Sequence, residues 1–232
     1  MTRNEIFLEV CDRLSQGEEV PYYLESKIFD LSLILETEEI SEILHFIMLH
    51  GNAANTFRYL NRKQVLKNLL PDIYNLVSVP QKKGRARNAF EHTMNVIEAV
   101  PIDIDYLRWV ALLHDTGKYY SYMEDGDFKS HATYSYNYSK AFLTVFGISN
   151  DKKILVIVKN HMFPLDYQRM PNWTDKAVDT FIDRCGEEHA IDTIQFSIYD
   201  KMAENNYSDF LQPLYDLKER TESRINGRKT SN

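Results

Sequence analysis

Six side chains in this sequence have the types and placing to hold metal ions together: His92, His114, Asp115, His131, His161 and Asp200. His114 and Asp115 are adjacent, and Lys118 follows within Leu113-His114-Asp115-Thr116-Gly117-Lys118. Imidazole and carboxylate together suit divalent ions such as Mn, Fe, Co, Ni or Zn, with Mg at the hard end, and leave positions open for water and substrate. Taken singly, His131 and His161 are equally explained as core histidines, and a lone Asp200 late in a helix as a solvated carboxylate. Beside the His-Asp pair they gain weight as ligands.

These residues must be delivered by separate helices. Asn88 is a candidate N-cap for a helix from Ala89 to Ala99, which carries His92 and stops at Pro101. Asp103 is the expected cap of the next, from Ile104 to His114, with Leu107, Val110 and Leu113 as its buried stripe. Gly117 reads as a turn and 121–130 as a polar loop. His131 then opens a helix that reaches Phe146, and Ser149 or Asn150 caps the helix bringing His161. Residues 163–173, with Tyr167, Arg169, Pro171 and Trp173, read as a long loop suited to covering a pocket or to stacking on a base. Thr174 caps a helix to about Arg184, Gly186 breaks it, and Asp200 lies on the helix after that. His189 is placed near the surface.

Upstream of this region the periodicity is helical from Glu5 to about Val77, four or five short helices with Gly51 as a stop. His45 and His50 have no carboxylate at ligand spacing and are assigned to packing or surface. The expected organisation is a helical segment over 1–80 packed on a helical domain over 81–225. Residues 226–232 are expected as a disordered tail, with fraying from Glu219 onward.

The composition narrows the function. With 232 residues and 44% apolar content the chain has enough material for one core, and a net charge of −7 gives no global attraction to nucleic acid or anionic lipid. Phosphate binding must be local. Lys82, Lys83, Arg85 and Arg87 around Gly84 form the densest basic run. Such a run is ordinarily a solvated loop; its alternative is a contact to polyphosphate or RNA backbone, because it leads into the His92 helix. Two distant cysteines, Cys11 and Cys185, indicate neither a disulfide framework nor a thiolate metal site, and fit a reducing cytoplasm. No apolar run approaches the ~18 residues of a membrane span.

The order His92, His114-Asp115, Asp200 with Leu-Leu-His-Asp-x-Gly-Lys resembles the HD-domain superfamily of metal-dependent phosphohydrolases. The stretch from Leu70-Pro71-Asp72 to His161-Met162 looks most like the HD region of bacterial CCA-adding tRNA nucleotidyltransferases, without their nucleotidyltransferase head. The resemblance spans about 40–205 and implies an all-α helical bundle with an N-terminal helical extension. It implies His92, His114, Asp115 and Asp200 as the first metal site, and His131 and His161 as ligands of a second, so one or two divalent ions per chain. Asp115 and Lys118 would be catalytic, with Lys118, Arg85 and Arg87 binding substrate. The implied reaction is attack of metal-activated water on nucleotides or RNA-end phosphates, 2′,3′-cyclic phosphates first, with no membrane and no obligate protein partner. Hydrolysis of a signalling nucleotide or nucleoside phosphate stays open, as does a non-catalytic RNA-binding or adaptor module.

Overall fold

The computed structural model describes residues 1–81, 84, 86–169, 173–204 and 211–230. Among these no strand forms; an isolated antiparallel bridge joins Pro80 and Asn88. The helices are α1 (Arg3–Ser15), α2 (Tyr22–Ser32), α3 (Thr37–Leu49), α4 (Ala53–Arg62), α5 (Leu66–Leu69), α6 (Pro71–Asn75), α7 (Ala89–Ala99), α8 (Asp105–Leu113) and α9 (Gly117–Asp125). They continue as α10 (His131–Val145), α11 (Asp151–Asn160), α12 (Met162–Arg169), α13 (Asp175–Cys185), α14 (Glu187–Glu204) and α15 (Gln212–Thr230). The all-α bundle is as expected.

Apolar spacing explains which faces go inward. On α1, Ile6, Phe7, Val10 and Cys11 are buried; on α8 the run from Leu107 to Leu113 is buried throughout, so this is a central helix rather than an amphipathic surface one. One core cluster joins Phe7, Phe57, Phe90, Leu112 and Phe196, and therefore reaches from α1 to α14. A second gathers α12 to α15 around Val178, Phe181, Ile198 and Leu217. Cys11 and Cys185 are buried free thiols in these clusters.

Several local expectations are corrected. The Asn88 side chain does accept from Glu91 N at 2.9 Å, but α8 begins at Asp105 with Ile104 at its N-cap, and Asp103 caps nothing. Asn150 stands at the N-cap of α11 in the left-handed region and supplies no side-chain bond. Gly51 does follow the C-cap His50 of α3, as expected of a stop, but the left-handed residue there is Asn52, at φ 58°. Gly117 makes no turn. It opens α9, which extends helix to Asp125 through half of the expected polar loop and ends at left-handed Gly126. The 163–173 segment is helical as far as Arg169, and its Met170, Pro171 and Asn172 lie outside the described residues.

The largest correction is at the C-terminus. Helix α15 continues through Glu219 to Thr230, so 226–230 are ordered helix; Ser231 and Asn232 lie outside the described residues. A cross-helix ladder explains it. Arg220 pairs with Asp175 at 3.0 Å, Arg224 with Asp179 at 2.5 Å, and Arg228 with Asp183 at 2.8 Å. Both series advance by four residues, so three cations of α15 face three carboxylates of α13. Each solvent-screened pair alone contributes little, and it is the repeat, with Leu214, Leu217, Thr221 and Ile225 buried below, that holds the helix.

Candidate metal centre

The six ligand candidates come together. Asp115 lies at its middle: Asp115 Oδ2 is 3.2 Å from His114 Nε2, 3.4 Å from His92 Nε2 and 2.6 Å from Lys118 Nζ, while Asp115 Oδ1 faces His131 Nε2 at 3.5 Å. His92 Nε2 is also 3.0 Å from Asp200 Oδ1, and His131 Nε2 is 3.2 Å from His161 Nε2. Two trios result, His92, His114 and Asp200 on one side and Asp115, His131 and His161 on the other. In each the ligand atoms lie within 4.8 Å of one another, and all six side chains are buried.

The backbone sets which nitrogen faces inward. His114 Nδ1 donates to Ala111 O at 2.9 Å, His131 Nδ1 to Phe128 O at 2.5 Å and His161 Nδ1 to Val158 O at 2.7 Å. All three bonds run to a carbonyl three residues back. A neutral imidazole that donates from Nδ1 directs its Nε2 lone pair the other way, here into the site. With both Nδ1 atoms donating, His131 and His161 oppose two lone pairs at 3.2 Å, an arrangement that a cation between them would relieve. His114 Nε2 and Asp200 Oδ1 are buried with no aligned hydrogen bond. Such orphaned atoms are costly in an apolar interior, and a divalent ion would satisfy them. The donor set fits a divalent metal at both trios.

Burial and neighbouring charge divide the titrating groups. Burial, reinforced by His131 and His114, pushes His161 down to about 3, and burial lowers His131 as well. Burial opposes ionisation of Asp115 and Asp200, but the facing histidines, with Lys118 at Asp115, outweigh it and hold both below the ordinary carboxylate range. His114 is raised, because Asp115 and Asp200 overcome the cost of burying its charge. The site therefore keeps carboxylates ionised and the second trio's imidazoles neutral, the states that bind metal.

This has a stability consequence in the metal-free protein. A histidine whose folded pKa is depressed binds fewer protons folded than unfolded, so stability is full above the ordinary value of 6.5 and falls as pH drops from there towards about 3. His114, raised, acts in the opposite direction. Comparison with His161→Asn isolates the term. Urea unfolding at pH 7 and pH 5 is expected to show wild type losing more stability on acidification than the variant; equal losses would count against a neutral, buried His161.

Close approach of helices positions the ligands. A Cβ on Gly117 would fall 2.1 Å from His131 O and 2.4 Å from Ser135 N, so α9 lies backbone to backbone on α10. Gly117 N donates to Ser135 Oγ at 2.9 Å, which fixes the distance of His131 from Asp115. Ser197 Oγ donates to His161 O at 3.0 Å and ties α14 to the end of α11. Phe196 packs its ring against His114 at 5.3 Å, one turn before Asp200. Sequence reasoning passed over Ser135, Phe196 and Ser197. The last two stand four and three residues before Asp200, on its own helical face, and that spacing is a signal for them.

A cavity of about 350 Å³ opens onto both trios. His92, Asp115, His131, His161 and Asp200 form its floor, Lys118, Arg169 and Lys201 bring cations, and Phe128, Met162 and Leu165 make an apolar wall. Lys118 Nζ also donates to Gln81 Oε1 at 3.2 Å. Lys201 is paired with Glu204 at 2.5 Å. Of the basic run, Arg85, Lys82 and Lys83 lie outside the described residues, and Arg87 is exposed and does not line the cavity. Gly84 alone is placed near the rim: at φ +81° it sits against Glu204, where an added Cβ would be 3.2 Å from its Cα. His45 is elsewhere, edge-on to Trp109, and His50 stacks on Phe46. His189 is half-buried beside Glu188.

The HD-domain family model matches residues 86–199, ending one residue short of Asp200. The matched stretch, just under half of the chain, is similar to an HD domain. HD domains bind divalent metals and are generally metal-dependent hydrolases; His92, His114, Asp115, His131 and His161 fall within the matched residues and Asp200 just beyond them. No curated protein matches the chain in sequence. The finer likeness of this HD domain to the tRNA nucleotidyltransferases thus finds no support in these comparisons. Among the described residues, no helix is long and apolar enough to cross a membrane.

Proposed function

We propose that the HD domain is a phosphohydrolase acting on nucleotides or RNA-end phosphates, with 2′,3′-cyclic phosphates first, and that its histidines and aspartates would hold two divalent ions. The observation that carries this is the Asp115 carboxylate, with one oxygen towards His92 and His114 and the other towards His131. His92, His114, Asp115 and Asp200 would hold one ion, and Asp115, His131 and His161 the other. Divalent ions there supply Lewis acidity towards a phosphoryl oxygen and towards water.

The chain's own residues do the rest. Lys118, held between Asp115 and Gln81, keeps the carboxylate in place and presents positive charge where phosphoryl charge grows. Arg169 and Lys201 are placed to receive further phosphate oxygens, and Phe128, Met162 and Leu165 give a base or ribose an apolar wall that excludes water. The volume of about 350 Å³ lies at the lower end of small-ligand pockets, which favours a mononucleotide or a strand terminus over a longer stretch of RNA. The free buried cysteines support a cytoplasmic setting.

The test is a phosphoester panel on protein loaded in turn with Mn, Fe, Co, Ni, Mg and Zn. It includes an oligonucleotide 2′,3′-cyclic phosphate, cyclic mononucleotides, nucleoside mono- and triphosphates and hyperphosphorylated nucleotides. Preferred turnover of the cyclic-phosphate ends is expected. Preference for a signalling nucleotide would replace the substrate, and RNA binding with no turnover under any metal would replace the enzyme by a binding module.

The basic loop gives a second prediction. If Arg85 and Arg87 hold backbone phosphates beyond the cavity, Arg85→Ala with Arg87→Ala should lower kcat/KM for the oligonucleotide and leave the mononucleotide unchanged. The difference should shrink with salt, since exposed charges are screened within ~8–10 Å at ordinary ionic strength. Equal effects on both substrates, or none, would return the run to a solvated loop.

A further inference from the structure

A second cavity, of about 380 Å³, lies away from the metal centre and shares no lining residue with it. It is bounded by the start of α4 (Asn52, Ala53, Ala54), the end of α7 (Ile97, Val100) and Arg108 of α8. Arg108 is unusual. It is 5% exposed, no described carboxylate pairs with it, its Nη2 donates to His50 O at 3.1 Å and its buried Nε has no partner. Desolvation without a compensating acid lowers its pKa. A guanidinium in such a place is normally matched by an anion, since five N–H donors in a planar fork suit an oxyanion best.

The other wall makes the same demand independently. Helix α4 is ten residues long and follows Asn52, whose side chain does not cap it but donates to Ser15 O at 3.0 Å. The first N–H groups of an uncapped helix, with the positive end of its dipole, form a ready anion site. Glu98, the carboxylate on the rim, accepts from Arg58 Nη1 at 2.5 Å and is already matched. Ala53, Ala54, Ile97, Val100 and Ile102 line the remaining space, so room exists for an apolar body behind an anionic head.

We infer that this cavity is a binding site for a small-molecule oxyanion, a phosphate or carboxylate group held between the Arg108 guanidinium and the first turn of α4. It is placed at the far ends of the two helices, α7 and α8, that bring His92 and His114 to the metal centre. The occupant therefore touches the supports of the metal ligands without entering their cavity.

The test uses the full chain, stripped of metal by chelator, in backbone amide NMR titrations with inorganic phosphate and separately with hexanoate. Saturable shifts centred on the amides of Gly51, Ala53, Ala54 and Asn55 are expected from at least one probe. Phosphate alone would assign a phosphate head, hexanoate alone a carboxylate with an apolar tail. Arg108→Met is expected to weaken that binding at least tenfold. Shifts confined to Asp115, Gly117 and Lys118, or no saturable shift with either probe, would overturn the inference. So would undiminished binding by a folded Arg108→Met. Since that variant also loses the bond to His50, the wild-type amide map decides the matter if it does not fold.

Discussion

Asp115→Asn is expected to lower metal-dependent phosphoester hydrolysis by more than ~100-fold and to remove at least one bound ion per chain, while the helical circular dichroism persists. The substitution keeps shape and takes away the one charge that faces histidines of both trios. Altering mere supporting residues of a metal site costs roughly 10- to 100-fold, so loss of the bridging ligand should cost more. The variant also leaves Lys118 without its carboxylate, at 11% exposure of that side chain, and a modest fall in stability should accompany the loss of metal. Metal content and kcat measured on the same purified sample check the outcome. Wild-type values for both would remove Asp115 from the centre.

Gly117→Ala should be the most damaging single methyl in the domain. The new carbon would lie 2.1 Å from a carbonyl oxygen and 2.4 Å from an amide nitrogen of α10, backbone atoms that no rotamer change can move aside. Overpacking ordinarily costs 1–3 kcal/mol, and against backbone the upper end, about 3 kcal/mol, is a minimum. For a chain of this size that corresponds to a fall in Tm of ~6–12 °C. Separation of α9 from α10 would also withdraw His131 from Asp115, so surviving protein should be short of the second ion. A Tm within ~2 °C of wild type would show that the two helices have room to part.

The metal centre was legible because its information is local. His114 and Asp115 stand at the end of an apolar helical run, and the other ligands each fall on a helix whose start or stop is marked by Asn88, Gly147 or Gly186. What was not legible depends on partners distant in sequence. Gly117 looked like a turn because a glycine demanded by another helix's backbone carries the same letter as one demanded by a positive φ. Residues 219–230 looked frayed because their arginines are hydrophilic until Asp175, Asp179 and Asp183, some 45 positions earlier, are placed opposite them. Arg108, inside an apolar helix, gave no hint that its guanidinium would be buried without an acid. Arg169 stood in a segment read as pocket cover, whereas Lys201 lacked any motif and is found only from the cavity it lines.

The central claim, that these histidines and aspartates form a metal-dependent phosphoryl centre, is tested most directly by titrating metal-free wild type with Mn while following both bound metal and hydrolysis of its best phosphoester. The rate should be absent without metal, rise in step with occupancy and level off at two ions per chain. Full activity in chelator-treated protein, or two ions bound with every phosphoester left intact, would contradict it.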